Sequence, residues 1–428
     1  MRRIVILGGG YAGLHAAAAL RRRLARQLRQ GSIGLTVVSR DPYHTYHGWT
    51  GEVLAGRLAV GRTLTPIAPM LHEHFFEGDV VGLDTSARSI RVQTAAGELQ
   101  ELAYDHLLLA TGSRDPFSRV DGLAEHGWCV KNTRSMQRLV ARLDVLDRQP
   151  GALRNVVVVG GGMAGVETAS ALALRFRKRA GTAVNVHLVA AHDRLLDSLR
   201  PSFAHIADHA DRTLRAQGVE VHYGRRVASI AADSVLFRDG SRLPADLAVV
   251  TAGIEFECLP GTEALPRTAE GQLATDAALR VAGRDDIWAA GDIAAVHHPL
   301  TGALCPTNAL WAMKQGDCVG RNMARAVVGK QPRPFGFKGL GQAAGLMQTN
   351  GIAELYRLQF TGKAAWLLRI LFFAWYMPHR RNGFAIVGRL VSDWLAPRAR
   401  VAGMVHALAG RMPRLAGARL AIGRLPRP

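Results

Sequence analysis

An α/β chain of two doubly wound units followed by a basic, helical C-terminus is what this sequence predicts, and three observations predict it. The first is Arg3-Ile4-Val5-Ile6-Leu7-Gly8-Gly9-Gly10-Tyr11-Ala12-Gly13-Leu14. Its apolar run shows no alternation, as in a strand buried on both faces of a parallel sheet, and it leads through Gly8-x-Gly10-x-x-Gly13 into an Ala-rich helix. The second is an echo of that design, Asn155-Val156-Val157-Val158-Val159-Gly160-Gly161-Gly162-Met163-Ala164-Gly165-Val166-Glu167, 152 residues later. The third is the charge of the C-terminus: from Thr361 to Pro428 twelve Lys or Arg stand against one acid, Asp393. Strand, glycine turn and helix in that order form the Rossmann-like unit. One glycine makes the tight turn, one lets a pyrophosphate approach the backbone, and one lets helix pack on strand. The helix N-terminus offers free N–H groups to the phosphates. Two units predict two dinucleotide sites, one of them for a flavin.

Taken in order, Arg21 to Arg29 reads as the solvated end of the first helix, and Leu35-Thr36-Val37-Val38 as the second parallel strand. Where a carboxylate ordinarily grips the ribose, this chain has Ser39-Arg40. Tyr43 to Gly56 is expected to be an aromatic, glycine-rich loop reaching the flavin, with His44 and His47 packing or hydrogen bonding rather than holding metal. Tyr104 to Ser113 is a buried strand ending in Thr111-Gly112, where backbone passes close to phosphate.

The second unit continues with strand Val184 to Val189, and again the acid is missing, since Ala190-Ala191-His192 stands there. Gly224 to Arg242 predicts an antiparallel hairpin, and Asp246 to Gly253 a closing strand. Asp286-Ile287-Trp288-Ala289-Ala290-Gly291-Asp292 is a short strand whose final carboxylate is suited to a ribityl or ribose hydroxyl. A helix from about Pro306 packs near the redox end of the flavin. The last legible pieces, Ala364 to Met377 and Phe384 to Leu395, are aromatic, cationic and too short to span a bilayer, which takes about 20 apolar residues. They suit the plane of a membrane interface, the alternative being a helix pair that caps the core or a dimer face. Truncation before Thr361 is then expected to leave a soluble, FAD-binding body.

A length of 428 residues allows roughly three domains at about 150 residues each. With 48% hydrophobic residues the chain can bury large cores. Cys129, Cys258, Cys305 and Cys318 lie far apart without ligand-like spacing, which argues against a disulfide framework or a metal centre, and no metal site is expected. The first strand starts so early that no leader is expected before it. The net charge of +20 seeks phosphate; with no nucleic-acid motif in the tail, an anionic lipid surface is expected and nucleic acid is not.

This order of motifs resembles the type II NADH:quinone dehydrogenases, within the superfamily of flavoproteins with two dinucleotide-binding domains, over about residues 2 to 397. The resemblance implies an FAD-binding domain in two parts, 1–115 and 276–355, with the NAD(P)H-binding domain, 116–275, inserted between them. A membrane-associating region comes after it at 356–428. It implies FAD at Gly8, Gly10, Ala12, Gly13, Ser39, Arg40, Thr111, Gly112, Gly291 and Asp292, and NADH or NADPH at Gly160, Gly162, Ala164 and Gly165. Catalytic roles fall on Glu167, at the nicotinamide and quinone, and on Lys338, within Phe335-Gly336-Phe337-Lys338.

The implied acceptor is a membrane quinone. The implied setting is peripheral, on the cytoplasmic side of a bacterial inner membrane, with a homodimer as the assembly. The chain departs from the family at both ribose carboxylates, replaced by Ser39 and Ala190, and at the paired glutamines near the quinone, close to which only Gln315 and Asn308 occur. The helix dipole is expected to keep Glu167 charged. Two rival readings are a sulfide:quinone oxidoreductase relative, with Cys129 and Cys305 as its thiols, and a non-enzymatic flavoprotein with a lipid- or nucleic-acid-binding tail.

Overall fold

A computed structural model describes residues 1–149, 154–177 and 184–395. The seven arginines beyond Pro397 lie outside them.

The first unit forms as its pattern dictates. β1 (Arg2–Leu7) runs into α1 (Tyr11–Arg23), and β2 (Ile33–Ser39) returns beside β1. Tyr43 to Gly56 is not an open loop. It holds a short strand (Tyr43–Thr45), one 3-10 turn (His47–Trp49) and the helix α2 (Thr50–Leu54). Its glycines mask a buried face, since Trp49, Glu52, Val53 and Leu54 all point inward. β3 (Phe75–Glu77) and β4 (His106–Leu109) come next, separated by an antiparallel meander over 79–103.

The second unit opens with β5 (Gly127–Cys129) and contains β6 (Asn155–Val159), α3 (Met163–Arg177), β7 (Asn185–Val189), β8 (Val219–His222) and β9 (Leu247–Val250). The predicted hairpin after Gly224 gains a third strand at Arg242–Pro244. The chain then returns to the first unit with β10 (Ile287–Ala289) and α4 (Ala309–Val327).

Two all-parallel sheets result, ordered β10-β4-β1-β2-β3 and β5-β9-β6-β7-β8. In each, the strand before the glycine turn is central, with its successor on one side and a later strand on the other. That is the topological switch point of an open α/β sheet, and ligands bind in the crevice beyond it. Because β10 and α4 complete the first sheet after the second has been built, the second unit is an insertion in the first. α1 and α4 pack closely because Gly316 and Gly320 lie against the α1 backbone. A Cβ at Gly316 would come within 2.3 Å of the Ala12 carbonyl oxygen.

A three-stranded antiparallel sheet over 341–361 then leads into α5 (Gly362–Tyr376) and α6 (Arg380–Leu395). The helix pair caps the core with one face and leaves an apolar face exposed. Ala365, Trp366, Arg369, Ile370 and Ala374 face inward, and Trp366, Ile370 and Ala374 join a core that includes Trp49, Val166 and Leu346. Leu367, Leu371 and Trp375 lie one turn apart on the outer face, 45%, 43% and 55% exposed, with Phe384, Trp394 and Leu395 exposed on α6. None of the described helices is long and apolar enough to cross a membrane. Removing everything from Thr361 would therefore open the core and not merely detach an anchor. The sequence expectation of an intact soluble body is corrected on that ground.

Candidate functional site

The two glycine turns are built alike. Gly8 and Gly160 hold φ of +118° and +128°, in the left-handed region that glycine adopts without strain. At Gly10 and Gly162, both exposed, an added Cβ would meet nothing within 4 Å. At Gly13 and Gly165 it would meet the Gly8 and Gly160 carbonyl oxygens at 1.9 and 1.7 Å. So the third glycine is fixed by packing, whereas the middle one is glycine with open space before it. Gly10 caps α1 with no side-chain bond, which leaves the first-turn N–H groups free to receive an anion. Ala12 is buried behind that turn and Ala164 is exposed in the matching place. These cradles fit two dinucleotide pyrophosphates.

Around the first cradle, Ser39 lies against Gly9 and donates to the Asp41 carbonyl, while Arg40 is paired with Asp79 at 2.9 Å. Gly112 follows Thr111 with φ +72° and open space where a Cβ would be. Asp292, after β10, accepts from Ser113 Oγ at 2.6 Å and from Lys131 Nζ at 3.0 Å. The Gly291 N–H donates to buried Gln315 Oε1 at 2.7 Å. Lys131 carries no motif, and only the fold brings it to Asp292. Tyr11 takes the His47 N–H on its hydroxyl (2.9 Å) and packs edge-on to His44. Burial drives the His44 pKa down to about 3 and lowers that of His47, so both rings are neutral.

The second glycine helix leads to the charge centre. Glu167, on α3, accepts from the Gly345 N–H at 3.1 Å and from the Arg369 guanidinium. Arg369, on α5, is 0% exposed. It holds Glu52 of α2 with two bonds, 2.7 and 3.1 Å, donates to the Gly48 carbonyl at 2.9 Å and stacks over Phe373 at 4.8 Å. One cation thus clamps two carboxylates from two other elements. Burial disfavours the charged guanidinium, but Glu167 and Glu52 outweigh it and raise the pKa of Arg369. For Glu167, burial is the larger effect. With Glu52 as a second negative neighbour, it pushes the carboxyl up to about 7 against the attraction of Arg369.

Against the expectation that the helix dipole keeps Glu167 charged stands its burial, which brings the uncharged carboxyl within reach of neutral pH. Such a carboxyl keeps its proton in the fold while the unfolded chain has lost it. Stability is therefore expected to fall as pH rises from about 4.5 to about 7, and to fall less steeply in Glu167→Gln. Denaturant melts of both proteins across that range check it.

Lys338 sits elsewhere. Its side chain is exposed and its carbonyl accepts from His298 Nε2 at 3.3 Å; the cation beside Glu167 is Arg369. In sequence Arg369 reads as a flaw in an apolar run, and its inward face, shared with Ala365 and Trp366, is the signal that could have found it. Ala190 is buried behind Gly161, with His192 beyond it paired to Asp197 at 3.0 Å. Cys129 and Cys305 are buried; desolvation raises both thiol pKa values, that of Cys305 to about 11, so neither is poised as a thiolate.

Residues 2–316 match the family model described as pyridine nucleotide-disulphide oxidoreductase. The chain is 27% identical over 406 residues to demethylphylloquinone reductase NdbB of Synechocystis sp., covering 92% of this chain and 97% of that protein. It is 23% identical over 384 residues to the type II NADH:quinone oxidoreductase of Staphylococcus haemolyticus, covering 85% and 92%. Its fold matches NDH2 from Plasmodium falciparum, solved in complex with NADH, with a TM-score of 0.81 at 15% identity over 92% of this chain and 98% of that one. The chain belongs to the pyridine nucleotide-disulphide oxidoreductase family and is a type II NADH dehydrogenase-like flavoprotein.

Proposed function

We propose that this chain oxidises NADH, or NADPH, and reduces a membrane quinone through FAD, held in the first cradle with the nicotinamide cofactor in the second. The observation that carries this reading is the pair of open middle glycines, Gly10 and Gly162, each at the switch point of its own parallel sheet. FAD bound there would supply the redox chemistry, hydride uptake from a nicotinamide and electron release to a quinone.

The chain's own residues bind, orient and handle protons. Gly10, Thr111 and Gly112 would line the flavin phosphates on the turn that Gly8 and Gly13 shape, Ser39 and Arg40 would stand at the ribose end, and Asp292 with Lys131 would serve the ribityl hydroxyls. Gly162 and the exposed Ala164 would face the second pyrophosphate, on the turn that Gly160 and Gly165 shape. Glu167, protonated or not near neutral pH, is suited to pass a proton to a reduced quinone, and Arg369 with Glu52 fixes its carboxyl in place. The raised thiol pKa values of Cys129 and Cys305 weigh against sulfide as the donor. Steady-state NADH oxidation by the FAD-loaded protein should depend on added quinone; quinone reduction that requires sulfide and ignores NADH and NADPH would reverse the assignment.

Donor choice depends on Ala190. With no carboxylate there to repel a 2′-phosphate, NADPH should serve within about tenfold of NADH, a difference of about 1.4 kcal/mol. Ala190→Glu should move the preference towards NADH. A native preference above about a hundredfold, read from kcat/KM, would show that another group selects.

The outer face of α5 and α6 is proposed as the membrane contact, peripheral on the cytoplasmic side of a bacterial inner membrane, with a homodimer as the assembly. Leu367, Leu371 and Trp375 each bring on the order of 1.5–3 kcal/mol when fully removed from water, and less at an interface. Each flanking arginine adds about 1 kcal/mol at an anionic surface, and that part alone weakens with salt. Vesicle sedimentation should show binding loosened but not abolished by salt. Leu367→Glu with Leu371→Glu should release the protein into the supernatant with its flavin retained; a double variant that still pellets contradicts the contact.

A further inference from the structure

One side-chain cluster lies outside the redox site. Glu220 and His222, two apart on β8, share one face of the strand; across the ladder His187 of β7 pairs with Glu220, and Val189 with His222. His187 Nδ1 is 3.1 Å from His222 Nε2 and 3.3 Å from Glu220 Oε2, and His222 Nε2 is 3.5 Å from Glu220 Oε1.

One hydrogen bond, between the two imidazoles, serves one of these three contacts, and the two to the carboxylate are left at ion-pair distance. Each imidazole nitrogen carries at most one proton, and the carboxylate carries none when ionised. If both nitrogens are protonated, two N–H groups meet head-on across 3.1 Å. If only one is, the other presents a lone pair to a carboxylate oxygen. A cation removes the conflict, because it takes a lone pair from each residue. Nitrogen and oxygen ligands bonded at about 2.0–2.1 Å to a tetrahedral ion stand about 3.3 Å apart. The three observed separations bracket that value, the two to Glu220 being made by different carboxylate oxygens, and one ligand atom from each residue lies within 4.8 Å of the others.

We propose that His187, Glu220 and His222 bind one divalent transition-metal ion, zinc above all, with a remaining position open to water. Two imidazoles and one carboxylate suit zinc, copper or nickel and not magnesium or calcium, which take oxygen ligands. His187 is buried and fixed in the sheet, while Glu220 is exposed and gives the ion a way in. The chain carries +20 overall, so bulk charge does not draw a cation here; the ligands must. The ion would tie the edge strand β8 to β7. The His222 carbonyl also receives the Ala190 N–H at 2.8 Å, so the tie sits next to the residue that replaces the second ribose carboxylate. Sequence spacing hides the set, since one ligand lies 33 residues before the nearer of the other two.

The test uses untagged, FAD-loaded protein equilibrated with Zn²⁺, with bound metal quantified after dialysis at fixed free zinc. One zinc per chain is expected, together with a rise in melting temperature on zinc addition. Losing an outer-shell partner already weakens metal binding 10–100-fold, so losing a ligand in His222→Ala or Glu220→Gln should cost at least about tenfold and abolish the thermal shift. His192→Ala, which alters a different histidine–carboxylate pair, should retain both. Glu220 is exposed, so its variant should fold even where a change at buried His187 does not. Wild-type protein that holds no zinc, or variants that bind as wild type does, overturn the site.

Discussion

Arg369→Met is expected to cost the fold on the order of 3–5 kcal/mol, the range seen when one partner of a buried ion pair is removed and the other stays behind. Here two carboxylates stay behind, Glu52 with a side chain 4% exposed and Glu167 at 16%. The methionine fills most of the space of the arginine stem, so the loss is chiefly one of charge and hydrogen bonding, not of packing. Arg369→Lys should recover only part, because an ammonium cannot give two parallel bonds to Glu52 while also reaching the Gly48 carbonyl and Glu167. Adding Glu52→Gln to Arg369→Met should restore stability relative to Arg369→Met alone, by removing one orphaned charge. Denaturant midpoints of the four proteins decide it. A loss below about 1 kcal/mol in Arg369→Met, the size of an exposed pair, would show that the clamp is not formed.

The glycine turns give the second large effect, and they separate binding from folding. Gly10→Val adds a side chain where nothing lies within 4 Å, so the chain should fold, yet the flavin pyrophosphate loses its approach to the backbone. The purified protein should be colourless and should take up FAD at least a hundredfold more weakly, about 2.7 kcal/mol. Gly162→Val should give the reverse phenotype: yellow protein, with flavin retained, whose reduction needs at least a hundredfold more NADH. Gly13→Ala is the contrast, since even one methyl would sit 1.9 Å from the Gly8 carbonyl oxygen, and this variant should fail to fold well. A Gly162→Val protein reduced as readily as the parent would remove the nicotinamide cofactor from that cradle.

How much of this was legible in the chain depends on the length scale of the signal. The two sheets were, because continuous apolar runs such as Ile4 to Leu7 and Val156 to Val159 admit few alternatives to a doubly covered parallel strand, and the glycine spacing after each run fixes a tight turn and a helix. Trp49 to Leu54 was not, because two neighbouring glycines obscured one helical turn whose inward face shows only against the core. Lys131 beside Asp292, and Glu52 and Arg369 beside Glu167, join residues 161, 317 and 202 apart in sequence, so no local pattern could unite them. Arg369 was the most misleading residue. Read along the chain it marks the helix as unable to span a bilayer, which holds; read in the fold it is the one polar tooth of an inward apolar face. Because of it, the helix that carries the exposed Leu367, Leu371 and Trp375 is tied directly to the carboxyl of Glu167.

The proposed function stands on electrons passing from a nicotinamide cofactor bound at Gly160–Gly165 to a flavin bound at Gly8–Gly13, and from there to quinone. Anaerobic mixing of the yellow protein with one equivalent of NADH, and then with one equivalent of a soluble quinone, tests this most directly. The predicted result is loss of the oxidised-flavin absorbance with NADH and its full return with quinone, the first step impaired in Gly162→Val and the second slowed in Glu167→Gln. Flavin that stays oxidised with NADH and NADPH but bleaches with sulfide, or reduced flavin that quinone fails to reoxidise, would contradict it.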